Sequence, residues 1–461
     1  MKTSDDELLS PQAAIDALGG IELPSDELSD FVSSLQQRHV SVMRIRRDLV
    51  DVDLPFATER VDWYSLGRRL THHDDRPSRH LAYAAGDYYL QDAGSLLALA
   101  ACGADQVQLA GMTVCDLCAA PGGKASGLLE AIGETGFLLA NEPIRSRLAP
   151  LAFNLARVGS DRYAISCQDP ERLAATLAGQ FDLVVVDAPC SGQALMGRGK
   201  QTVAAMSEKQ IQHSAARQER ILDAAVELLR PGGRLIYSTC TFARAENESQ
   251  MDRLIACDLA RPDPIERLSQ YASGEGTYRL WPHRHDCAGS FAASMVAPLG
   301  GGEPEIGREK RVKRKKKKDR DKDDARVLAS VPWGDWYDGI AKIQRLKLTD
   351  SVIYGWPSDV PTWVEDISVD GPELAHRTGQ TWKPAHAGAM RRAAGYVGKQ
   401  SVEVNGTTAS QFLSGDTIGC PSNGWHVVRY QQRPLGWIKA SNGVGKNQLP
   451  AAARFNGTLD H

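Results

Sequence analysis

Cys190 and Cys240 each close a short apolar stretch, in DAPCSG (Asp187–Gly192) and STCTF (Ser238–Phe242). A structural cysteine is usually buried among apolar neighbours and inert. These two stand where strand-like runs give way to loops, and a thiolate in such a place can act as a nucleophile. One chemistry needs it in particular. Cytosine C5 is too weak a nucleophile to take a methyl group unaided, and addition of a thiolate to C6 makes C5 enamine-like. The adduct then needs an acid near N3, and Asp187 precedes Cys190 in the same motif. A base must remove the C5 proton, and the cytosine must leave its stack to reach the thiol. Spacing alone leaves open which cysteine attacks.

Other residues of the same kind of position suit a nucleoside cofactor. In DLCAAPGGKAS (Asp116–Ser126), Gly122 and Gly123 allow close backbone approach, and the following helix start offers free N–H groups. The stretch matches neither the GxxxxGK[ST] nor the GxGxxG pattern of phosphate binders. Glu142 ends the second strand-like run, where a ribose diol is commonly gripped. Asp169 ends the third and can accept from the exocyclic amine of an adenine. Together these predict an adenosyl cofactor without phosphates, S-adenosylmethionine. Lys124 is expected to brace the site, through a carboxylate.

The elements that must position these residues alternate. Strands are predicted at Thr113–Cys118, Phe137–Asn141, Tyr163–Cys167, Asp182–Asp187 and Arg234–Cys240. Helices are predicted through Gly127–Ile132, over Ile144–Val158 with Gly159 as its stop, and over Ser207–Leu229 between a Ser207 N-cap and Pro231-Gly232-Gly233. DLVVVD (Asp182–Asp187) is a near-continuous apolar run, as in a strand buried on both faces. Such alternation predicts an α/β fold with a parallel sheet covered by helices. Ligands of open α/β sheets bind at the carboxyl ends of the strands. That edge is where Glu142, Asp169, Asp187, Cys190 and Cys240 collect. Arg279–His283 and Ser290–Pro298 read as a closing strand pair.

The whole chain has 461 residues, 42% hydrophobic and 24% charged, which excludes wholesale disorder and allows several domains. No apolar run is long enough to span a membrane, and MKTSDDELLS has no signal-peptide core. Nine thinly spread Cys argue against a disulfide scaffold and for a reducing, cytoplasmic setting. The first thirty or so residues are acidic, and Leu8, Leu9, Ile15 and Leu18 predict a short helix. Arg38, Arg44, Arg46, Arg47, Arg68 and Arg69 follow. They fit a nucleic-acid contact surface or a solvated cap. Arg311–Lys318 is a dense basic run in a predicted linker, able to add salt-dependent RNA affinity. Beyond it lie seven of the nine Trp, in short segments that predict a small, mostly β domain. The expected division is residues 1–80, 81–300, the linker 301–328, and 329–461.

DLCAAPGGK, NEP with the downstream Arg147, Leu151, Asn154, Arg157 and Gly159, DAPCSG and STCTF, in this order, resemble the Sun-type RNA (cytosine-5) methyltransferases. GDYYLQDAGS (Gly86–Ser95) is similar to the family's segment before the cofactor loop, so the resemblance runs from about Leu81 to Pro298. It implies a Rossmann-like methyltransferase domain using S-adenosylmethionine, behind an N-terminal α/β RNA-contacting segment. Cys118, Ala119, Ala120, Pro121, Gly122, Gly123 and Lys124 would form the cofactor loop. Glu142 would hold the ribose, Asp169 the adenine, and Asp187 would sit between cofactor and cytosine. Cys240 would be the nucleophile and Cys190 would assist breakdown of the adduct. The chain departs from the family in Gln193–Val203 and Met43–Arg46. Ala409–Ile418 and Gly436–Pro450 are similar to the PUA-like RNA-binding tail of the bacterial ribosomal RNA small subunit methyltransferase F group, which would put Lys439, Lys446 and Asn447 near an RNA backbone.

The expectation is therefore an RNA cytosine-5 methyltransferase, with ribosomal RNA as substrate and transfer RNA second. A non-catalytic RNA-binding or ribosome-assembly factor of the same fold would be favoured by loss of either Cys or of Asp187, and all three are present. Methylation of a base nitrogen or of protein would need no thiolate. Cys115 and Cys118 read as strand residues, not a redox pair, and His283, His285 and Cys287 lack zinc-ligand spacing, so no metal is expected.

Overall fold

The structure, a computed structural model, describes residues 10–21, 23–49, 54–72, 74–299, 324–392, 396–455 and 459. The basic run Arg311–Lys318 lies outside them. The central sheet is built from β5 (Thr113–Asp116), β6 (Phe137–Asn141), β7 (Tyr163–Ser166), β8 (Phe181–Asp187) and β9 (Leu229–Thr239), all parallel where they pair. β10 (Arg261–Pro262), β11 (Ala272–Gly274), β12 (Thr277–Leu280) and β13 (Ser290–Val296) add an antiparallel flank. The order β11-β12-β13-β9-β8-β5-β6-β7 reverses direction between β5 and β8. The crevice beyond the carboxyl ends at such a reversal is where this architecture binds ligands.

The apolar run of β8 is buried along Leu183–Val186, with helices on both faces of the sheet. Helix Glu208–Leu228 is capped by Ser207, whose side chain accepts from the Gln210 amide. Its buried residues Ile211, Ala215, Gln218, Leu222, Ala225 and Leu228 recur at the three- and four-residue steps of one helical face.

Local chemistry moves several boundaries. The helix expected over Ile144–Val158 is a 3-10 turn at Arg145–Arg147 followed by an α-helix at Leu148–Ala156. The cause is Glu142, whose Oε1 accepts from the Ile144 amide at 2.9 Å and ties the chain back before the helix can start. The helix expected through Gly127–Ile132 starts earlier, at Gly123. The helix after Ser207 ends at Leu228, and β9 already begins at Leu229, with Pro231-Gly232-Gly233 inside the strand, where the β8–β9 register shifts between Phe181 and Leu183. The strand expected over Arg279–His283 ends at Leu280, because Pro282 opens a short helix, Pro282–His285.

A four-stranded antiparallel sheet, β1 (Val42–Ile45), β2 (Thr58–Val61), β3 (Tyr64–Leu70) and β4 (Tyr88–Gln91), lies beside the central domain. Several of its arginines bind that domain. Arg44 donates to Ser126 Oγ at 2.8 Å and Glu130 Oε1 at 2.9 Å. Arg46 donates to the Val158 carbonyl, Arg47 to those of Ala104 and Gln106, and Arg69 to Asp286. Ahead of the sheet, helix Pro11–Leu18 is capped by Ser10 and ended by Gly19 at φ 65°.

The described residues of 329–461 hold two larger sheets besides a two-stranded pair, Tyr337–Asp338 with Val397–Gly398. Strands Ile343–Leu348, Val352–Pro357, Glu373–Thr378 and Thr381–Pro384 form one; Ser401–Glu403, Ile418–Gly419, Gly424–Tyr430, Arg433–Ser441 and Val444–Asn447 form the other. The first is welded to the central domain. Trp356 is fully buried in the core cluster of Val184, Val186 and Leu173, and its Nε1 donates to the Tyr163 carbonyl at 2.7 Å. The Ile165 amide donates to the Asp370 carbonyl, continuing the edge of β7. Trp356→Ala is expected to destabilise the central domain itself by about 3–5 kcal/mol, the usual loss for an aromatic removed from a core. Denaturant unfolding followed through the central domain checks this. An unmoved transition would mean the sheet is an independent module.

Candidate active site

Beyond the carboxyl ends of β5, β6, β8 and β9 lies a cavity of about 580 Å³. Cys118, Ala119, Ala120, Pro121, Gly123, Lys124, Glu142, Asp187, Cys190 and Cys240 all line it. The parallel register explains the meeting of the two cysteine motifs. Asp187 pairs with Ser238 across β8 and β9, so the chain segments just past each partner leave the sheet side by side. Cys190 Sγ and Cys240 Sγ end 3.1 Å apart, as free thiols. The hydrogen bond to Cys240, then burial, then the charges of Cys240 and Glu246 hold the Cys190 thiol well above its ordinary pKa.

The loop from Asp116 to Lys124 is packed closely against its neighbours. Gly122 stands at φ 109°, and a Cβ there would meet Asn154 Cβ at 3.0 Å. A Cβ on Gly123 would meet Tyr89 at 3.0 Å and Gln91 at 3.1 Å, both from β4. Asn154 Nδ2 donates to the Pro121 carbonyl at 2.7 Å, and Arg147 Nη2 to that of Ala120 at 2.6 Å. The loop is thus held from outside, and of the residues expected to form it Cys118–Pro121, Gly123 and Lys124 line the cavity whereas Gly122 packs against Asn154 and Leu151.

Lys124 Nζ lies 2.7 Å from Asp187 Oδ2, and Ser238 Oγ donates to Asp187 Oδ1 at 2.9 Å. Burial works against the Lys124 ammonium, but Asp187 and then Asp116 and Cys240 outweigh it and raise its pKa. Asp187 is therefore held in one orientation at the cavity wall.

Glu142 is 1% exposed. Arg147 Nη1 lies 3.0 Å from its Oε2, an ion pair without hydrogen-bond geometry, so that oxygen keeps its capacity to accept. Asp169 is placed apart. It caps helix Pro170–Leu177 by accepting from the Glu171 amide at 3.1 Å, and it lines an adjoining cavity of about 150 Å³ with Cys118, Pro143, Ile144, Arg217 and Ile221. Cys118 and Pro143 line both cavities, which are therefore neighbours.

Asp116 was not singled out from sequence, although it opens the quoted loop motif. It is buried, lines the cavity, and neither carboxylate oxygen has a hydrogen-bond partner. Burial, then the charge of Asp187, pushes its pKa up to about 7. A carboxylate without a hydrogen bond and the free Glu142 oxygen, in one cavity with Gly123, fit a ligand that brings an ammonium and hydroxyl donors. S-adenosylmethionine carries both, on its methionyl and ribose parts.

The pKa of Asp116 has a consequence for stability. Folded Asp116 keeps its proton to about pH 7, whereas an unfolded aspartic acid loses it near ~3.9. Between those values the folded state binds more protons, so stability falls as pH rises from about 4 to about 7 and then levels. Asp116→Asn is expected to raise the urea midpoint of the cofactor-free protein at pH 8 and to leave it unchanged near pH 4. Equal midpoints at pH 8 would reject the buried, unpaired state.

Other residues that only the structure reveals are Arg198, whose Nη2 lies 3.1 Å from Asp92 at the cavity wall, and Glu246 behind the thiols. An acid just past STCTF was the available signal for Glu246. His283 Nε2 meets Glu27 at 2.8 Å and His285 Nδ1 meets the Trp281 backbone. Among the described residues no group of three His, Cys, Asp or Glu could hold a metal ion.

Comparison with known proteins agrees with this geometry. Residues 108–296 match the family described as 16S rRNA methyltransferase RsmB/F, and residues 399–455 match the methyltransferase RsmF PUA domain. The chain is 27% identical to a ribosomal RNA small subunit methyltransferase F from Serratia proteamaculans, over 98% of each chain. Two solved structures from Pyrococcus horikoshii share the fold. One is a methyltransferase homolog protein, with 22% identity, a TM-score of 0.52 and coverage of 63% of this chain and 100% of that one. The other is NSun6 with SFG, with 18% identity, a TM-score of 0.52 and coverage of 64% and 98%.

Proposed function

We propose that the chain, whose residues 108–296 match the family described as 16S rRNA methyltransferase RsmB/F and whose residues 399–455 match the RsmF PUA domain, is an RNA methyltransferase of that family and methylates C5 of a cytosine in small-subunit ribosomal RNA through a covalent Cys240 adduct. The observation that carries the proposal is the pair of free thiols 3.1 Å apart on the wall of the cofactor cavity, beside the Lys124–Asp187 ion pair. Base-nitrogen or protein methylation has no use for that pair.

When bound, S-adenosylmethionine supplies an electrophilic methyl group. Gly123 and the free Asp116 and Glu142 oxygens would hold it, and Asp169, which lines the adjoining cavity, would take the adenine. Cys240 adds as thiolate to C6 of the flipped cytosine. The displaced π electrons make C5 nucleophilic, and negative charge builds toward N3. N3 takes up a proton from water and gives it back after C5 is methylated, and the Asp187 carboxylate, fixed by Lys124 and Ser238, accepts from the N3–H in between. After C5 is methylated, its proton leaves to solvent, the C5=C6 bond re-forms, and the electron pair of the C6–S bond returns to Cys240. Cys190, kept protonated, donates its S–H to that leaving sulfur, so that the pair again holds one thiol and one thiolate, and return of the proton from Cys240 to Cys190 resets it.

The substrate assignment draws on the name of the Serratia relative, aligned over 98% of each chain. No described helix is long and apolar enough to cross a membrane, and a ribosomal substrate puts the reaction in the cytoplasm. The test is transfer of tritiated methyl groups to naked small-subunit RNA, isolated small subunits and transfer RNA, with the product nucleoside identified after digestion. 5-Methylcytidine in small-subunit RNA is expected. The same product in transfer RNA alone would move the substrate. Cofactor binding without transfer to any of the three would favour a non-catalytic RNA-binding factor.

A further inference from the structure

Glu246 is fully buried, and burial raises its pKa, with hydrogen bonds from Ser191, Gln218 and Thr241 as the largest effects that oppose the rise. Its carboxylate is met by neutral donors only. Oε2 accepts from the Ser191 amide at 2.9 Å and from Gln218 Nε2 at 2.9 Å, and Oε1 accepts from Thr241 Oγ1 at 3.3 Å. Ser191 Oγ and Thr241 Oγ1 lie 2.8 Å apart. Ser191 directly follows Cys190 and Thr241 directly follows Cys240. One carboxylate therefore ties together the two loop turns that carry the thiols. Its own backbone is pinned as well, since Tyr237 OH donates to the Glu246 carbonyl at 2.6 Å, and Asn247 bonds Thr239 Oγ1 and the Thr241 carbonyl.

Burying a carboxylate without a cation is costly, and a purely structural tie could be made by neutral groups. We propose that Glu246 is the positioning residue of the thiol pair: its buried carboxylate sets the spacing of Cys190 and Cys240 and gives them unequal surroundings. This rests on the thiol roles proposed above. The asymmetry has two sides. The hydrogen bond to Cys240, burial and the nearby charge of Glu246 act on Cys190, whereas Cys240 lies in the cavity wall with the Lys124–Asp187 pair. An acid behind Cys190 favours a proton on that thiol.

The experiment uses the full chain and two thiol readouts that need neither RNA nor cofactor. Iodoacetamide labelling of each cysteine is followed against pH by mass spectrometry, and a short bis-alkylating reagent measures how fast Cys190 and Cys240 are bridged. Glu246→Gln is expected to lower the labelling midpoint of Cys190 by about one pH unit and to leave the exposed Cys257 unmoved; Glu246→Asp is expected to restore the midpoint. With RNA and cofactor, Glu246→Gln is expected to accumulate about tenfold more covalent protein–RNA complex, because release becomes the slow step. Thr241→Val, which removes the shared hydroxyl but keeps the charge, is expected to slow bridging with little change in the midpoint, and it carries the test if Glu246→Gln does not fold. Unchanged Cys190 labelling in folded Glu246→Gln, unchanged bridging in Thr241→Val, or equal shifts at Cys190, Cys240 and Cys257 would each overturn the proposal. A wild-type protein that forms no RNA adduct would sink the cytosine-5 reading instead, while the thiol readouts still decide the role of Glu246.

Discussion

Cys240→Ala is expected to lower methyl transfer by at least about a thousandfold and to abolish any denaturation-resistant complex with RNA. The magnitude follows from chemistry with no bypass. Without the sulfur addition C5 stays a poor nucleophile, and removal of a covalent nucleophile costs several powers of ten. Cys190→Ala is expected to do the opposite to the complex. Cys240 can still add, but the thiol 3.1 Å away that would protonate it on departure is gone. The protein should then run on a denaturing gel as an RNA-linked species that accumulates within a single turnover. The double variant should show no such species. Cofactor affinity, measured by calorimetry, should stay near wild type in Cys240→Ala, because the proposed cofactor holders come from other loops. Label on another atom, insensitive to Cys240, would remove the thiolate mechanism altogether.

Asp187→Asn is expected to lower the rate of transfer by about 10²–10⁴-fold, the range for loss of a positioned acid–base group. The argument turns on what holds this carboxylate. Lys124 at 2.7 Å and Ser238 Oγ at 2.9 Å orient it. An asparagine can keep the Ser238 bond, but it loses the charge that bears on N3 and the partner of the Lys124 ammonium. The defect should appear before the methyl step. In a Cys190→Ala background, Asp187→Asn should therefore suppress the trapped complex. If the complex still accumulates in full, Asp187 acts after addition and its role at N3 is wrong. Part of the pair is open to water, since the Asp187 side chain is 40% exposed, so the expected effect is on rate far more than on stability.

Much of this site could be read along the chain, and the reason is locality. The run Phe181–Asp187, the glycines after Asp116 and the Ser207 cap act over a few residues, and each shapes its own segment whatever the rest does. The alternation of those segments implies a parallel sheet with one ligand edge. That is enough to bring Glu142, Asp187, Cys190 and Cys240 to a common side, whereas Cys118–Lys124 as cofactor loop is what the family resemblance implies.

Distances between segments are another matter. That the two thiols touch depends on the Asp187–Ser238 register of β8 against β9, a pairing of strands separated by a long helix. The orphaned state of Asp116 depends on which donors other strands fail to bring. The tie made by Glu246 depends on two loops and a helix meeting around one carboxylate. Asp169 joins the neighbouring cavity and not the main one because it caps its own helix. Trp356 belongs to the central core although it lies far down the chain, since burying an indole is favourable wherever a matching face exists. Sequence by itself determined which residues can do the chemistry, through local propensity and motif. Tertiary structure alone decided their separations, their partners and their charge, because these arise from packing between elements that carry no mark of one another in the chain.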